Sequence, residues 1–284
     1  ATHAPSMLRR VAPERIRYMR LTEERTTRVT HIQLPDATDA AHKFVREAVQ
    51  AFPEVYFSRL VILGEGDSEE IVLPRLLQVK GAPVDESAVT IAPLGGRHVN
   101  HFWRLLSALQ IPYLTLLDLD VARYAAGWGR IKYVNDPLAV YEPSKVLPAD
   151  HSIPNWNDAT HKVRDYKHYL DALEDRDVYF SYPMDLDFAM LLIYPDAYGV
   201  VREDPEESTI KAVLGKSHDD ASQYSKDEQQ LFSTYHQRFK LGSKPAAHID
   251  ALAQLTDEEL LADMPPSLIR LADAVVAKLA ELPE

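Results

Sequence analysis

The feature that most constrains this chain is a run of alternating apolar strands and amphipathic helices between Arg59 and Asp120. Arg59-Leu-Val-Ile-Leu63 is apolar after its first residue and has strand length. It leads into Gly64-Glu-Gly-Asp-Ser-Glu69, a turn opening a helix, with Asp67 or Ser68 as the N-cap. Ile71, Leu73, Leu76, Leu77 and Val79 carry that helix to Lys80, and Gly81 stops it. Val89-Thr-Ile-Ala92 is a second strand, and Gly95-Gly96 a turn. Val99, Phe102, Leu105, Leu106 and Leu109 mark a second helix. Tyr113-Leu-Thr-Leu-Leu117 is a third strand and ends in Asp118-Leu119-Asp120. Strands alternating with helices pair in parallel, and a parallel sheet is covered on both faces. The fold class is therefore α/β.

Ligands of such sheets sit at the carboxyl ends of the strands, which is where this chain concentrates acid. Glu65 follows the first strand and Glu69 lies one helical turn later, so both carboxylates can face one volume. The simpler reading of that pair is acid complementing a helix dipole. Asp118 and Asp120 stand at i and i+2, on one face of an extended strand. They repel unless solvated or bridged by a cation; a plain turn is the alternative. A haloacid-type phosphatase wants Thr two residues further on, where this chain has Ala122. With no cysteine, any metal must be held by oxygen or histidine. Carboxylate oxygen selects hard cations.

The net charge of −12 argues against coating nucleic acid through broad electrostatics. Acid clustered at a cation site is partly neutralised once divalent metal binds. The 284 residues, 46% apolar, suffice for one large domain or two ordinary ones. No run reaches membrane-spanning length and no signal peptide is visible, so the expected location is cytoplasmic.

The order strand–Glu-Gly–helix–strand–Gly-Gly–helix–strand–Asp-x-Asp resembles the Toprim domain. Topoisomerases, bacterial primases, recombination mediators and the OLD (overcoming lysogenization defect) family share it. Topoisomerases need a nucleophilic tyrosine elsewhere and primases usually add zinc-binding cysteines, which ranks those groups last. Gly64 to Glu69, Leu73-Pro74, Leu94-Gly-Gly-Arg97 and Leu117-Asp-Leu-Asp120 are similar to the OLD-family nuclease. The resemblance implies a Toprim-like parallel sheet flanked by helices, with an inserted or appended helical subdomain. It implies a metal-dependent DNA endonuclease using two Mg²⁺ or Mn²⁺ ions, with Glu65, Glu69, Asp118 and Asp120 as ligands. A later acid and a later lysine complete that family's site. The matching residues are Asp187, in Met184-Asp-Leu-Asp-Phe188, and Lys244, in Gly242-Ser-Lys-Pro245. Asp187 stands where the family often has glutamate, and Asp185 is the alternative; Lys244 reads equally as a solvated turn lysine. On this view Asp118 bridges the ions, Asp120 and Glu65 complete one shell, and Glu69 and Asp187 the other.

The first residues, with His3 before Leu8, Val11, Ile16 and Tyr18, look like the end of an ABC-type ATPase. The resemblance thus makes an N-terminal ATPase of the same polypeptide the expected partner, with a homodimer in the full-length protein. No Walker A motif occurs in these residues. The expected division is 1–55 as ATPase remnant and connector, including a helix over 38–52, and 56–182 as catalytic core. Residues 183–240 are a helical insertion, polar over 202–239, and 241–284 return to the core with two C-terminal helices, near 246–255 and 267–282. A charged helix is expected over 155–177. Arg97 and Arg123 flank the acidic motifs and are the candidate DNA-backbone contacts; His98, His101, Arg130, Lys132, Lys162, Arg164 and Lys167 are further basic residues. The alternative function is a Toprim binding or regulatory module without turnover.

Overall fold

The computed structural model describes residues 1–22, 24–32, 52–93, 99–147, 152–157, 166–215 and 221–283. The expected helix over 38–52, the Gly95-Gly96 turn, Arg97, His98, Lys162 and Arg164 lie outside them.

The N-terminal part carries a hairpin. Arg17–Leu21 (β1) and Thr27–His31 (β2) pair antiparallel with Met19 opposite Val29. Tyr18 points into the core, while Met19 and Val29 are exposed, the alternation that period-2 geometry gives.

Leu60–Gly64 (β3), Val89–Pro93 (β4), Tyr113–Asp118 (β5) and Val178–Ser181 (β6) form the main sheet. Its order is β4-β3-β5-β6, and every neighbouring pair is parallel. Leu60, Val61, Ile62 and Leu63 are all fully buried, and each contributes roughly 1.5–3 kcal/mol by leaving water. Two-sided burial is why β3 reads as one apolar run.

Nine α-helices of six or more residues accompany the sheet among the described residues. They are Asp67–Val79 (α1), Val99–Leu109 (α2), Trp128–Tyr141 (α3), Tyr166–Glu174 (α4), Leu186–Ile193 (α5), Glu207–Leu214 (α6), Lys244–Leu252 (α7), Asp257–Ala262 (α8) and Pro266–Glu281 (α9). α1 ends at Lys80, and Gly81 takes φ +80°, a left-handed conformation open to glycine. α1 packs on β4 and α7; α9 packs on β3, β5 and β6. Trp103 Nε1 donates to Thr115 Oγ1 at 2.9 Å, pinning α2 to β5 by a buried bond. Arg59, at the foot of β3, donates to the carbonyls of Leu279, Leu282 and Pro283. A cation there satisfies the orphan acceptors of the last turn of α9.

Several elements depart from the sequence reading. α3 and α8 were not anticipated, and of the expected 155–177 helix the described residues show α4. Lys244 is helical rather than in a turn, because Ser243 caps α7 by accepting from Ala246 N at 3.3 Å. The segment read as polar holds an aromatic core. Tyr224, Phe232, Tyr235 and Phe239 are buried, and Phe188 meets the first three edge-on. These rings are spaced too widely among polar residues to form a visible stripe. Their last turn is a π-helix, His236–Leu241.

Candidate metal centre

The carboxyl edge of the sheet gathers three acidic segments. Glu65 follows β3, and its Oε1 accepts from Asp118 N at 3.1 Å. Asp118 ends β5, and its Oδ1 accepts from Leu186 N, in the first turn of α5, at 3.2 Å. The loops after β5 and β6 are stitched by backbone bonds: Leu119 N to Ser181 O at 3.1 Å, Asp120 N to Met184 O at 2.8 Å and Val121 N to Pro183 O at 3.1 Å. This seam carries Asp185 and Asp187, 65 or more residues further along the chain, to the side of Asp118.

Glu69 folds back over the turn before it. Its Oε2 accepts from Gly66 N at 2.9 Å, and only 2% of the residue is exposed. A Cβ on Gly64 would stand 2.7 Å from Glu69 Cγ and 2.8 Å from its Cβ, so glycine is required for this close approach. We expect Gly64→Ala to push Glu69 out of place, lower stability by about 1–3 kcal/mol, and lower any cation affinity. Thermal melts with and without Mn²⁺ check both; an unchanged cation-induced shift contradicts the placement.

Asp187 is the most heavily held acid. Oδ1 receives Ser68 Oγ at 2.6 Å and lies 2.9 Å from His248 Nε2, and Oδ2 is 2.5 Å from Lys244 Nζ. Asp185 caps α5, its Oδ1 accepting from Phe188 N at 2.9 Å, while its Oδ2 takes the Tyr235 hydroxyl and Arg123. Glu65, Asp67, Glu69, Asp118, Asp185 and Asp187 line one cleft of about 390 Å³ with Lys244.

Crowding and burial set the electrostatics. Burial, then repulsion from Glu65 and Glu69, raises the Asp118 carboxyl well above the usual range. Burial also raises Glu65, against the pull of Arg130. Glu69 is pushed up to about 7, by burial first, with Asp187 and Glu65 adding repulsion. Asp187 goes the other way: burial would raise it, but the His248 hydrogen bond and Lys244 outweigh burial and hold it low. Lys244 is raised in turn, Asp187 overcoming its burial.

These shifts fix a pH dependence. Glu69 rises from 4.5 to about 7 on folding, so without cation the stability contributed by this one carboxyl is fully present below about 4.5 and is lost as pH climbs to about 7. A cation in the cleft removes that loss. Thermal melts in chelator should therefore show stability falling across this window, and melts in Mn²⁺ should show less of a fall. Parallel curves contradict the assignment.

The expected site residues do not all meet. Glu65, Glu69, Asp118, Asp187 and Lys244 share the cleft, and Asp185 joins them. Asp120 stands beside the cleft and is not among its lining residues. Strand pairing stops at Asp118, and Asp120 adopts φ +55°, so the two-residue alternation ends before it. Its carboxylate pairs instead with Arg123 and Arg130. Burial alone would raise it, but the two guanidinium groups hold it below the ordinary range. Arg130 also reaches Glu65 at 3.5 Å and so borders the site. The Arg123 side chain is 18% exposed, and its guanidinium is engaged by Asp120, Asp185, the Val213 carbonyl and the Tyr235 hydroxyl. The reading missed His248, Tyr198 and Tyr235. A histidine four residues after Lys244 on one helix is the only trace that His248 leaves in the sequence.

The donor set fits a hard divalent cation in kind: oxygen ligands only, buried, mutually repelling and opening on one cleft. Among the described residues no three acidic or imidazole groups stand close enough to grip a single ion as placed. Glu65, Glu69, Asp118, Asp185 and Asp187 take backbone, hydroxyl or cationic partners instead.

The parallel sheet, with Glu65 after β3 and Asp118 at the end of the neighbouring β5, resembles the Toprim arrangement. Its kind follows from comparison: residues 56–120 match the family described as overcoming lysogenization defect protein-like, TOPRIM domain. Residues 56–120 are an OLD-like Toprim domain. Over 158 residues, 53% of its length, the chain is 23% identical to endonuclease GajA of Bacillus cereus (strain HuB5-5). It spans 22% of that relative. Among solved structures, the C-terminal region of the Burkholderia pseudomallei OLD protein superposes with a TM-score of 0.50 at 14% identity, covering 78% of this chain and 99% of that one. That likeness concerns the fold. No helix of the described residues is long and apolar enough to cross a membrane.

Proposed function

We propose that this chain carries the catalytic part of a DNA endonuclease that hydrolyses phosphodiester bonds with the help of Mg²⁺ or Mn²⁺. The observation that carries the proposal is the meeting of Glu65, Glu69, Asp118 and Asp187 in one cleft with Lys244. The OLD-like Toprim match and the name of the GajA relative support it.

Glu65, Glu69, Asp118 and Asp187 would hold the cations, with Asp185 at the border. Cations held there would supply activation of water and stabilisation of the departing oxygen. Asp118 lies between Glu65 and the start of α5, the natural position for a shared ligand. The Lys244 side chain is 41% exposed, and its ammonium stays protonated against Asp187. It is placed to offset charge that develops on a phosphate. Arg130 pairs with Glu65 at 3.5 Å and with Asp120 at 2.7 Å and so ties the two carboxylates together at the border of the cleft. Arg97 stays in the proposal as a phosphate contact. An ATPase of the same polypeptide and a homodimer complete it.

The test is conversion of supercoiled plasmid to nicked or linear DNA. We expect turnover with Mg²⁺ or Mn²⁺ and none after chelation. DNA binding without cleavage in any divalent cation would instead make this a binding module.

A further inference from the structure

Asp187 differs from the other acids of the cleft in being gripped from behind by a buried relay. Tyr198, His248 and Asp187 are 1%, 0% and 1% exposed. Tyr198 Oη is 2.7 Å from His248 Nδ1, and His248 Nε2 is 2.9 Å from Asp187 Oδ1. An ionised carboxylate only accepts hydrogen bonds, so Nε2 must carry the proton. In the neutral ring Nδ1 is then an acceptor, and the Tyr198 hydroxyl is the donor that fills it. The sequence of bonds is Tyr198 O–H to Nδ1, then Nε2–H to Asp187.

The two oxygens of Asp187 are consequently unequal. Oδ1 takes two donors, Ser68 from α1 and His248 from α7. Oδ2 has the single ion pair with Lys244. Lys244 and His248 stand one turn apart on α7, so one helix holds both oxygens. Phe239 and Tyr198 wall the imidazole at ring distances of 5.2 and 5.7 Å, which fixes its plane.

We propose that His248, braced by Tyr198, is a positioning residue: it locks the Asp187 carboxylate so that Oδ2 is the oxygen presented to a divalent cation in the cleft. The proposal rests on the cation-binding reading above. Groups that orient a ligating carboxylate typically change metal affinity by about 10–100-fold when removed. A histidine that only filled the core would leave cation affinity unchanged.

The test uses the full 284-residue chain. Long-range ¹H–¹⁵N spectra of the wild-type imidazole should show the neutral Nε2–H tautomer. By calorimetry, His248→Ala should bind Mn²⁺ roughly 10–100-fold more weakly, and Tyr198→Phe, which removes one oxygen and keeps the ring, roughly 3–10-fold more weakly. His248→Gln, which restores a donor near Nε2, should recover much of the loss. Plasmid nicking by the variants should return at raised Mn²⁺. Native Mn²⁺ affinity in Tyr198→Phe together with a folded His248→Ala, or an Nδ1–H tautomer in the wild type, overturns the proposal. Should His248→Ala fail to fold, Tyr198→Phe and the tautomer decide. Asp118→Asn separates the two readings. If it keeps wild-type Mn²⁺ binding and nicking, the cation reading fails, and the positioning role with it. If it loses both while the relay variants keep them, only the positioning role falls.

Discussion

Asp118→Asn is expected to lower Mg²⁺- or Mn²⁺-supported nicking by roughly a thousandfold while leaving the fold intact. Asparagine keeps an oxygen for Leu186 N–H, which Asp118 Oδ1 accepts at 3.2 Å, so no buried donor is orphaned. It removes a negative charge that burial and Glu65, Glu69 and Asp185 all disfavour. A carboxyl whose folded pKa lies above its unfolded value loses stability as pH rises. The variant should therefore melt at a higher temperature than the wild type at pH 8 in chelator, and gain less from added Mn²⁺. Plasmid assays and paired melts check the two halves. A variant with wild-type nicking, or one whose Mn²⁺ shift is unchanged, contradicts the role given to Asp118. Asp118→Ala is the blunter form, because it also leaves Leu186 N–H without its acceptor.

Arg123→Met carries the largest expected effect on stability, a loss of about 3–5 kcal/mol. Its guanidinium is the common partner of Asp120 and Asp185, and it also donates to Val213 O at 3.1 Å and to the Tyr235 hydroxyl at 3.0 Å. Burial alone would lower its pKa, but Asp185, Tyr235 and Asp120 raise it well above the usual value. Removing it leaves Asp185 buried without a cation and Asp120 with Arg130 as its remaining ion-pair partner. Lysine should rescue only part of the loss, because a single ammonium cannot make the forked contacts. Urea denaturation measures the change. A loss below about 0.5 kcal/mol, the ordinary cost at an exposed position, would contradict the structural role and return Arg123 to the candidate DNA contacts.

The legible part of the chain was the part governed by local rules. Between Arg59 and Asp118, strand runs, a glycine-rich turn and a glycine stop each follow from neighbours within a few residues, and the sheet forms accordingly. Glu65, Glu69 and Asp118 could be read because they sit at the ends of those elements. The placement of Asp120 outside the cleft lining could not be read, since its left-handed backbone is fixed by the seam to Pro183 and Met184. Arg123 looked like a surface cation because nothing nearby in sequence reveals that residues near 185, 213 and 235 close over it. The same holds for His248: its partners Tyr198 and Asp187 are 50 and 61 residues away. Spacing rules reach across one turn or one strand, whereas this half of the site is built by tertiary packing of the aromatic segment.

The most direct test of the central claim is anomalous diffraction from crystals of the chain soaked in Mn²⁺. The account predicts manganese in the cleft, ligated by Asp118 together with Glu65 or Glu69 and approached by Asp187 Oδ2. Manganese bound elsewhere, or no manganese at saturating concentration, would contradict it.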